Sequence, residues 1–353
     1  MYENYTKCLP EKSLDLTITS IDRALLSYIF PVQFVIGFVG NLLILWVIDS
    51  DKFKNRANDM LAAVSFADLV FLVLMLPHSL AAFKKFERSL TFRLIYLSTK
   101  QTLGALANWM SASAIWLILA VSVERLLVIR RPLRSRFYWK KRVKYFVLLS
   151  IFAATGVLTT YHHFEYDCQM FFTCNGAQLS QACYSATDEK HPVSWMNSNV
   201  VYTSPMKRHF IWISTLCNAL LVVFIPIVLV VVLNTLLVWQ LHISENTARL
   251  HADGTSLRAI QQMQFQRQKY RVTVTVVAIA FSFSITQGPS AIMVLWELRG
   301  GYASRSAHFL TIFSITNTLV VFGKMTNFAL FWFFSSHFRR KFIGLIIRKF
   351  PKV

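Results

Sequence analysis

Charge is scarce in this chain. Only 15% of its 353 residues are Asp, Glu, Lys or Arg, while 55% are hydrophobic. An ordinary soluble domain carries about 25% charge, so a soluble globular class is excluded. The apolar residues fall instead in blocks of about 20, the length with which a helix crosses a bilayer. Acids are scarcer than bases, 17 against 37, which leaves a net charge of +20. On a soluble chain that surplus would point to nucleic acid. Here the bases lie between apolar blocks, and nucleic acid is not an expected partner. The first 23 residues hold charges and no apolar core, so no cleavable signal peptide is expected. No internal repeat marks a transporter built of two halves. Almost nothing is left over for a soluble domain, and no cofactor or metal is expected.

Seven apolar blocks are present: Ala24–Ile48, Asp59–Phe83, Ile95–Val128, Val143–Tyr161, His209–Leu241, Lys269–Trp296 and Ser306–Phe334. They predict an all-α membrane protein, a seven-transmembrane helix bundle over 24–334, between an N-terminal segment (1–23) and a tail (335–353). In the tail, Phe338, Phe342, Leu345 and Ile346 recur at helical spacing beside Arg339, Arg340, Lys341, Arg348 and Lys349. That pattern predicts a short amphipathic eighth helix over Ser335–Phe350, lying on membrane lipid. Of the 37 Lys and Arg, 22 fall in the segments on one side of the blocks and 12 on the other. Bases favour the inside, so the N-terminus is expected outside. Asn4-Tyr5-Thr6 is then a glycosylation acceptor at Asn4. Cys8, Cys168, Cys174 and Cys183 all fall in outer segments, where disulfides persist, and three pairings are open. Cys217 sits inside the fifth block and reads as a packing residue.

Ionisable residues inside the blocks are few and costly. Glu124 and Arg125 close the third block, Asp68 lies in the second and Lys324 in the seventh. The stretch "ERLLVIRRPL", Glu124–Leu133, resembles the acid-Arg-Tyr motif that ends the third helix of rhodopsin-like G-protein-coupled receptors. "GNLLIL" (Gly40–Leu45), "SFADL" (Ser65–Leu69), Pro77, Pro226, Pro289 and "TNFALFWFFSSHFRRKF" (Thr326–Phe342) fall in register with the same family. The resemblance implies roles. Glu124, Arg125, Ile129, Pro132 and Asn234 would carry coupling to a heterotrimeric G protein, with arrestin a further inner partner. Ile115, Pro226, Phe283, Gln287, Pro289, Asn327 and Phe331 would form the activation switch. Asn41, Asp68, Lys324 and Asn327 would form a buried polar site.

The departures carry information too. The seventh-helix Asn-Pro-x-x-Tyr is here Asn327-Phe328-Ala329-Leu330-Phe331, the sixth-helix Trp is Gln287, and the fifth-helix Tyr is Asn234. Asn-Phe, together with "LNTLL" (Leu233–Leu237), is similar to invertebrate FMRFamide-type and related neuropeptide receptors. The third-helix Cys of the resembling receptors is Lys100. The outer cysteines must then pair among themselves: Cys174–Cys183 or Cys168–Cys183 would close a hairpin, with Cys8 taking the remaining thiol. Lys269 replaces the family's inner acid on helix six, which implies a weaker off-state. An unpaired Lys at bilayer depth costs roughly 2.5–3.5 kcal/mol. Two charges about 4 Å apart recover about 4 kcal/mol at an effective dielectric near 20. Lys324 is therefore expected on Asp68, a tethered cation where relatives hold sodium.

On the ligand side, Gly104, Ala107, Asn108 and Ser111 share one face of the third helix. Relatives that bind amines carry Asp where Ala107 stands, and opsins carry their Lys where Val321 stands, so neither ligand class is expected. His78, Asn218, Gln287, Glu297, Phe313 and Asn317 complete the candidate pocket. The resemblance implies a receptor in the plasma membrane, not an enzyme, with an extracellular peptide as the expected ligand. A chemosensory receptor for a small molecule is the alternative within that class. A transporter or channel, which needs a continuous polar path or broken repeats, is the alternative outside it.

Overall fold

Thr19 caps the first helix. Its hydroxyl accepts from the Asp22 N–H at 3.0 Å, satisfying one of the orphan donors at a helix start. The helix, α1, therefore begins ahead of the apolar run and spans Ser20–Asp49, which moves Ser20–Arg23 out of the expected N-terminal segment. The structure is a computed structural model and describes residues 3–49, 56–130, 141–194, 197–250, 274, 277–293, 296, 307–334 and 336–349. The helices that follow are α2 (Arg56–Leu80), α3 (Leu90–Arg130) and α4 (Lys141–Thr159). Next come α5 (Pro205–Gln240, its helix continuing to Leu250) and α6 (Val277–Met293). α7 (Ala307–Phe334) and α8 (Ser336–Lys349) close the chain. Ser89 starts α3 ahead of the expected Ile95, because its hydroxyl accepts from the Phe92 N–H at 3.4 Å. Six of these helices are long and apolar enough to cross a membrane, and α6 is a shorter apolar helix among the described residues. The expected start of the sixth block, Lys269, lies outside the described residues.

The seven apolar helices form the expected bundle, but the expectation of helix alone is corrected at one end. There the N-terminal segment and the loop between α4 and α5 build strands. β1 (Glu3–Asn4) runs parallel to β2 (Tyr166–Thr173), which pairs antiparallel with β3 (Gln178–Ser185). β4 (Lys190–Ser194) and β5 (Asn197–Tyr202) form a second hairpin. The β2–β3 turn needs left-handed backbone at Cys174, Asn175 and Gly176 (φ 56°, 53° and 88°), and glycine accepts the last of these without penalty. Leu179 of β3, with Met170 and Phe172 of β2 beside it, turns inward onto Tyr96 and Leu97 of α3 and Ala81, just past α2. The sheet is thus a cap seated on the ends of two helices.

The bundle packs around Ile44, Val64, Ile118, Val121, Phe283 and Phe331. Its outside is apolar as well: Phe146, Leu149 and Val157 on α4 are 70%, 70% and 77% exposed. That surface suits hydrocarbon rather than water. Gly40 lets α1 and α7 approach closely, since a Cβ there would lie 2.6 Å from Phe328 Cβ.

Candidate functional site

The polar residues of the bundle lie at three depths. At the end opposite the cap, Glu124 and Arg125 are buried near the close of α3. Arg125 Nε and Nη2 have no hydrogen-bond partner among the described residues. Asn234 approaches from α5, its Nδ2 donating to Ser122 Oγ at 3.2 Å and to the Val230 carbonyl at 2.7 Å. Its Oδ1 is likewise unpartnered. In this conformation Asn234 therefore holds the α3 turn before Arg125. The side chain of Ile129 and all of Pro132 lie outside the described residues.

At mid-depth Lys324 and Asp68 meet. Lys324 Nζ donates to Asp68 Oδ1 at 2.9 Å, and Asn327 Nδ2 donates to Oδ2 at 2.7 Å. The ammonium also stands 4.5 Å above the Phe71 ring, a favourable place for a cation. Asn41 Nδ2 donates to the Gly37 carbonyl at 2.8 Å and the Lys324 carbonyl at 3.2 Å, fastening α1 to α7. Around the pair, Ala114, Ile118, Phe283, Gln287 and Gly323 enclose a void of about 10 Å³, room for about one water. The switch residues of the sequence reading border this site. Ile115, Phe283 and Phe331 share one core, and Pro226 is buried on α5 just after a π-helical stretch, Asn218–Phe224. Pro289 lies on α6, half-buried.

At the cap end, His78 Nδ1 and Tyr96 OH are 2.9 Å apart, joining α2 to α3. Ala107 is buried, Gly104 and Ser111 are half-buried and Asn108 is exposed. Phe313 and Asn317 on α7 are exposed too. Both fall on the helical stripe that, two and three turns on, carries the inward-pointing Lys324. Their exposure makes this end of the bundle the candidate vestibule. Asn218 is buried, and its Nδ2 donates to Tyr161 OH at 3.2 Å, so it braces α5 against the end of α4. Gln287 lines the deep void beside Lys324, and Glu297 lies outside the described residues.

The cap that overlies this vestibule is pinned covalently and by charge. Of the pairings left open, the structure contains Cys168–Cys183 within the hairpin and Cys8–Cys174 from the N-terminal segment to the hairpin tip. Asn4 lies in β1 of this cap. Sequence reasoning missed the charged anchor. Arg93, buried at the start of α3, donates from Nε to the Leu179 carbonyl and from Nη1 to the Leu14 carbonyl, both at 2.7 Å. Nη1 also reaches the Glu87 carbonyl at 3.0 Å. Glu87 in turn pairs with Arg23 at 2.8 Å and accepts from the Leu16 N–H at 2.9 Å. The available signal was a cluster of charges between two apolar blocks, Lys84–Arg93, which reads equally well as a solvated loop.

This arrangement, with a capped vestibule, a deep ion pair and an arginine at the far end of α3, matches a known family along most of the chain. The model described as "Serpentine type 7TM GPCR chemoreceptor Srw" covers residues 28–349. The chain belongs to this family. It is also similar to a Caenorhabditis elegans protein named "Putative G-protein coupled receptor F59B2.13". The two are 33% identical over 342 residues, which are 95% of this chain and 76% of that protein. As an Srw member the chain is a multi-pass membrane receptor, not an enzyme, and the family implies an extracellular ligand and a G protein. The G-protein-coupled receptor reading stands. Its finer branch does not follow, because the matched family is one of chemoreceptors rather than FMRFamide-type receptors.

Proposed function

We propose that this chain is a chemosensory receptor of the plasma membrane. A small molecule binds in the vestibule under the disulfide-pinned cap, and the signal leaves through Arg125 to a heterotrimeric G protein. In this reading the cap and N-terminus are outside and α8 is inside, as the 22-to-12 distribution of bases supports. One observation carries the small-molecule side: the inward stripes of α3 and α7 stay open at Asn108, Phe313 and Asn317 beneath a cap that sits directly on α2 and α3. A cleft lined by aromatic and amide groups suits a small ligand. The neuropeptide reading rested on Asn327-Phe328 and Leu233–Leu237, and the chemoreceptor match over 28–349 outweighs those two short motifs. Arrestin binding and contact of α8 with lipid belong to the same proposal.

The test is expression of the full chain with a promiscuous G protein and parallel screens of small-molecule and peptide libraries. Activation by a small molecule that Asn108→Leu or Asn317→Leu abolishes, at unchanged surface level, is expected. Activation by peptides alone would overturn it.

A further inference from the structure

Lys100 is the residue the family comparison leaves without a role. On α3, Ala114 and Ile118 line the deep void beside Asp68 and Lys324. Stepping toward the cap by the helical intervals of three and four residues gives Ser111, Ala107, Gly104 and then Lys100. One turn further, Tyr96 meets His78 of α2. Lys100 therefore stands on the inward face, at the top of the vestibule and just under the hairpin, where Gln181 Nε2 donates to the neighbouring Leu97 carbonyl at 3.1 Å. It is half-buried, and among the described residues no ion pair or hydrogen bond engages its ammonium. Other charges of this end are taken. Asp22 accepts from Ser314 Oγ at 3.0 Å and from the Ile18 N–H at 3.4 Å, Glu87 holds Arg23, and Asp167 holds Lys207 at 2.8 Å. Below Lys100 there is room: a Cβ built on Gly104 meets nothing within 4 Å.

A half-buried cation without a protein partner among the described residues attracts anions and repels cations. We infer that the ligand is a small organic acid whose carboxylate, sulfate or phosphate pairs with Lys100, its apolar body lying along Gly104 and Ala107 toward Phe313. The inference rests on the chemosensory reading above and adds the charge class of the ligand. It excludes amines on physical grounds: an ammonium would face Lys100 and find no free acid among the described residues on this face.

The experiment uses the full chain in cells with a promiscuous G protein and surface staining of every variant. The probes are straight-chain and aromatic carboxylates, the matching alkyl sulfates, their methyl esters and the matching amines. Acids are expected to activate while the esters and amines fail. Lys100→Gln should weaken the active acids by about ten- to a hundredfold, the effect of losing one charge-assisted hydrogen bond, and Lys100→Arg should restore most of it. If the agonists found are esters or amines, or if acids act equally on Lys100→Gln, the inference fails and the receptor reading stands. If no small molecule of any charge activates a receptor that is on the surface, the chemosensory reading fails and the inference with it.

Discussion

Lys324 and Asp68 show most directly how one residue constrains another here. Removing one partner of a buried pair leaves an uncompensated charge, at a cost of about 3–5 kcal/mol. Lys324→Met should therefore lower thermal stability sharply, and Asp68→Asn with Lys324→Met should recover most of the loss; additive loss in a melting assay would argue against the pair. The ammonium already fills the cation position, so exchanging sodium for choline should leave ligand affinity unchanged in the native receptor. In Lys324→Met, which exposes the carboxylate to the small void, a sodium-dependent rise in stability is expected. Arg125 is the second case. Arg125→Ala should keep surface expression and ligand binding while abolishing G-protein activation. Asn234→Ala, which frees the Ser122 turn, should change coupling efficiency without changing ligand affinity, and normal signalling by both variants would refute the assignment. Both sites were legible in the sequence for one reason: an ionisable residue within an apolar block must be paired or functional. Asn218 shows the complementary case. An amide in an apolar block looks like a pocket residue, yet it also needs a buried partner, and Tyr161 supplies one to Nδ2 while Oδ1 has none among the described residues.

At the scale of elements, the bundle was legible because each span is a long apolar run, and length alone separates it from a loop. The cap was not. β2 reads Tyr-Asp-Cys-Gln-Met-Phe-Phe-Thr, with no clean alternation of apolar and polar residues, because its partners are the N-terminal segment, β3 and α3 rather than one flat core. Its register comes from Cys168 facing Cys183 and from the turn at Cys174–Gly176, features that a sequence shows only as unassigned cysteines. Arg93 was invisible for a different reason: its three acceptors are backbone carbonyls far apart in the chain, and carbonyls leave no trace in composition. Its planar fork reaches them together, so charge alone is not enough. Arg93→Lys should therefore behave nearly as badly as Arg93→Ala, losing hydrogen bonds each worth about 1.5–3 kcal/mol. The expected readout is faster amide exchange in residues 5–16 and in the β2–β3 hairpin, with α4 to α7 unchanged. Equal protection in Arg93→Lys and the native chain would show that the two disulfides hold the cap unaided.

The whole molecule is a stack of three polar levels in an apolar sleeve, and α8 closes the stack at the G-protein end of the proposed orientation. α8 is fixed to the bundle on one face. Phe338 is buried against Phe331 and Phe328 with ring centroids 5.7 and 6.0 Å apart, and Phe342 meets Trp332 edge-on at 5.6 Å and Trp46 at 6.4 Å. Arg339 Nη1 caps the end of α7, donating to the Trp332 and Phe333 carbonyls at 2.7 Å each, where a cation also meets the negative end of the helix dipole. On another face Ile343 and Ile347 are 47% and 61% exposed, which places them at the acyl boundary of the membrane if α8 lies in the interface. The two faces predict different failures. Phe342→Glu buries a charge against Trp46 and Trp332, so it should destabilise the α1–α7 contact and lower surface expression. Ile343→Glu with Ile347→Glu leaves that packing intact, so the receptor should fold and reach the surface while the tail detaches from lipid. That detachment would appear as increased protease access near Lys349 and weaker coupling through Arg125. If Phe342→Glu reaches the surface in full amount, or if the double isoleucine variant misfolds while Phe342→Glu does not, the faces are assigned the wrong way round.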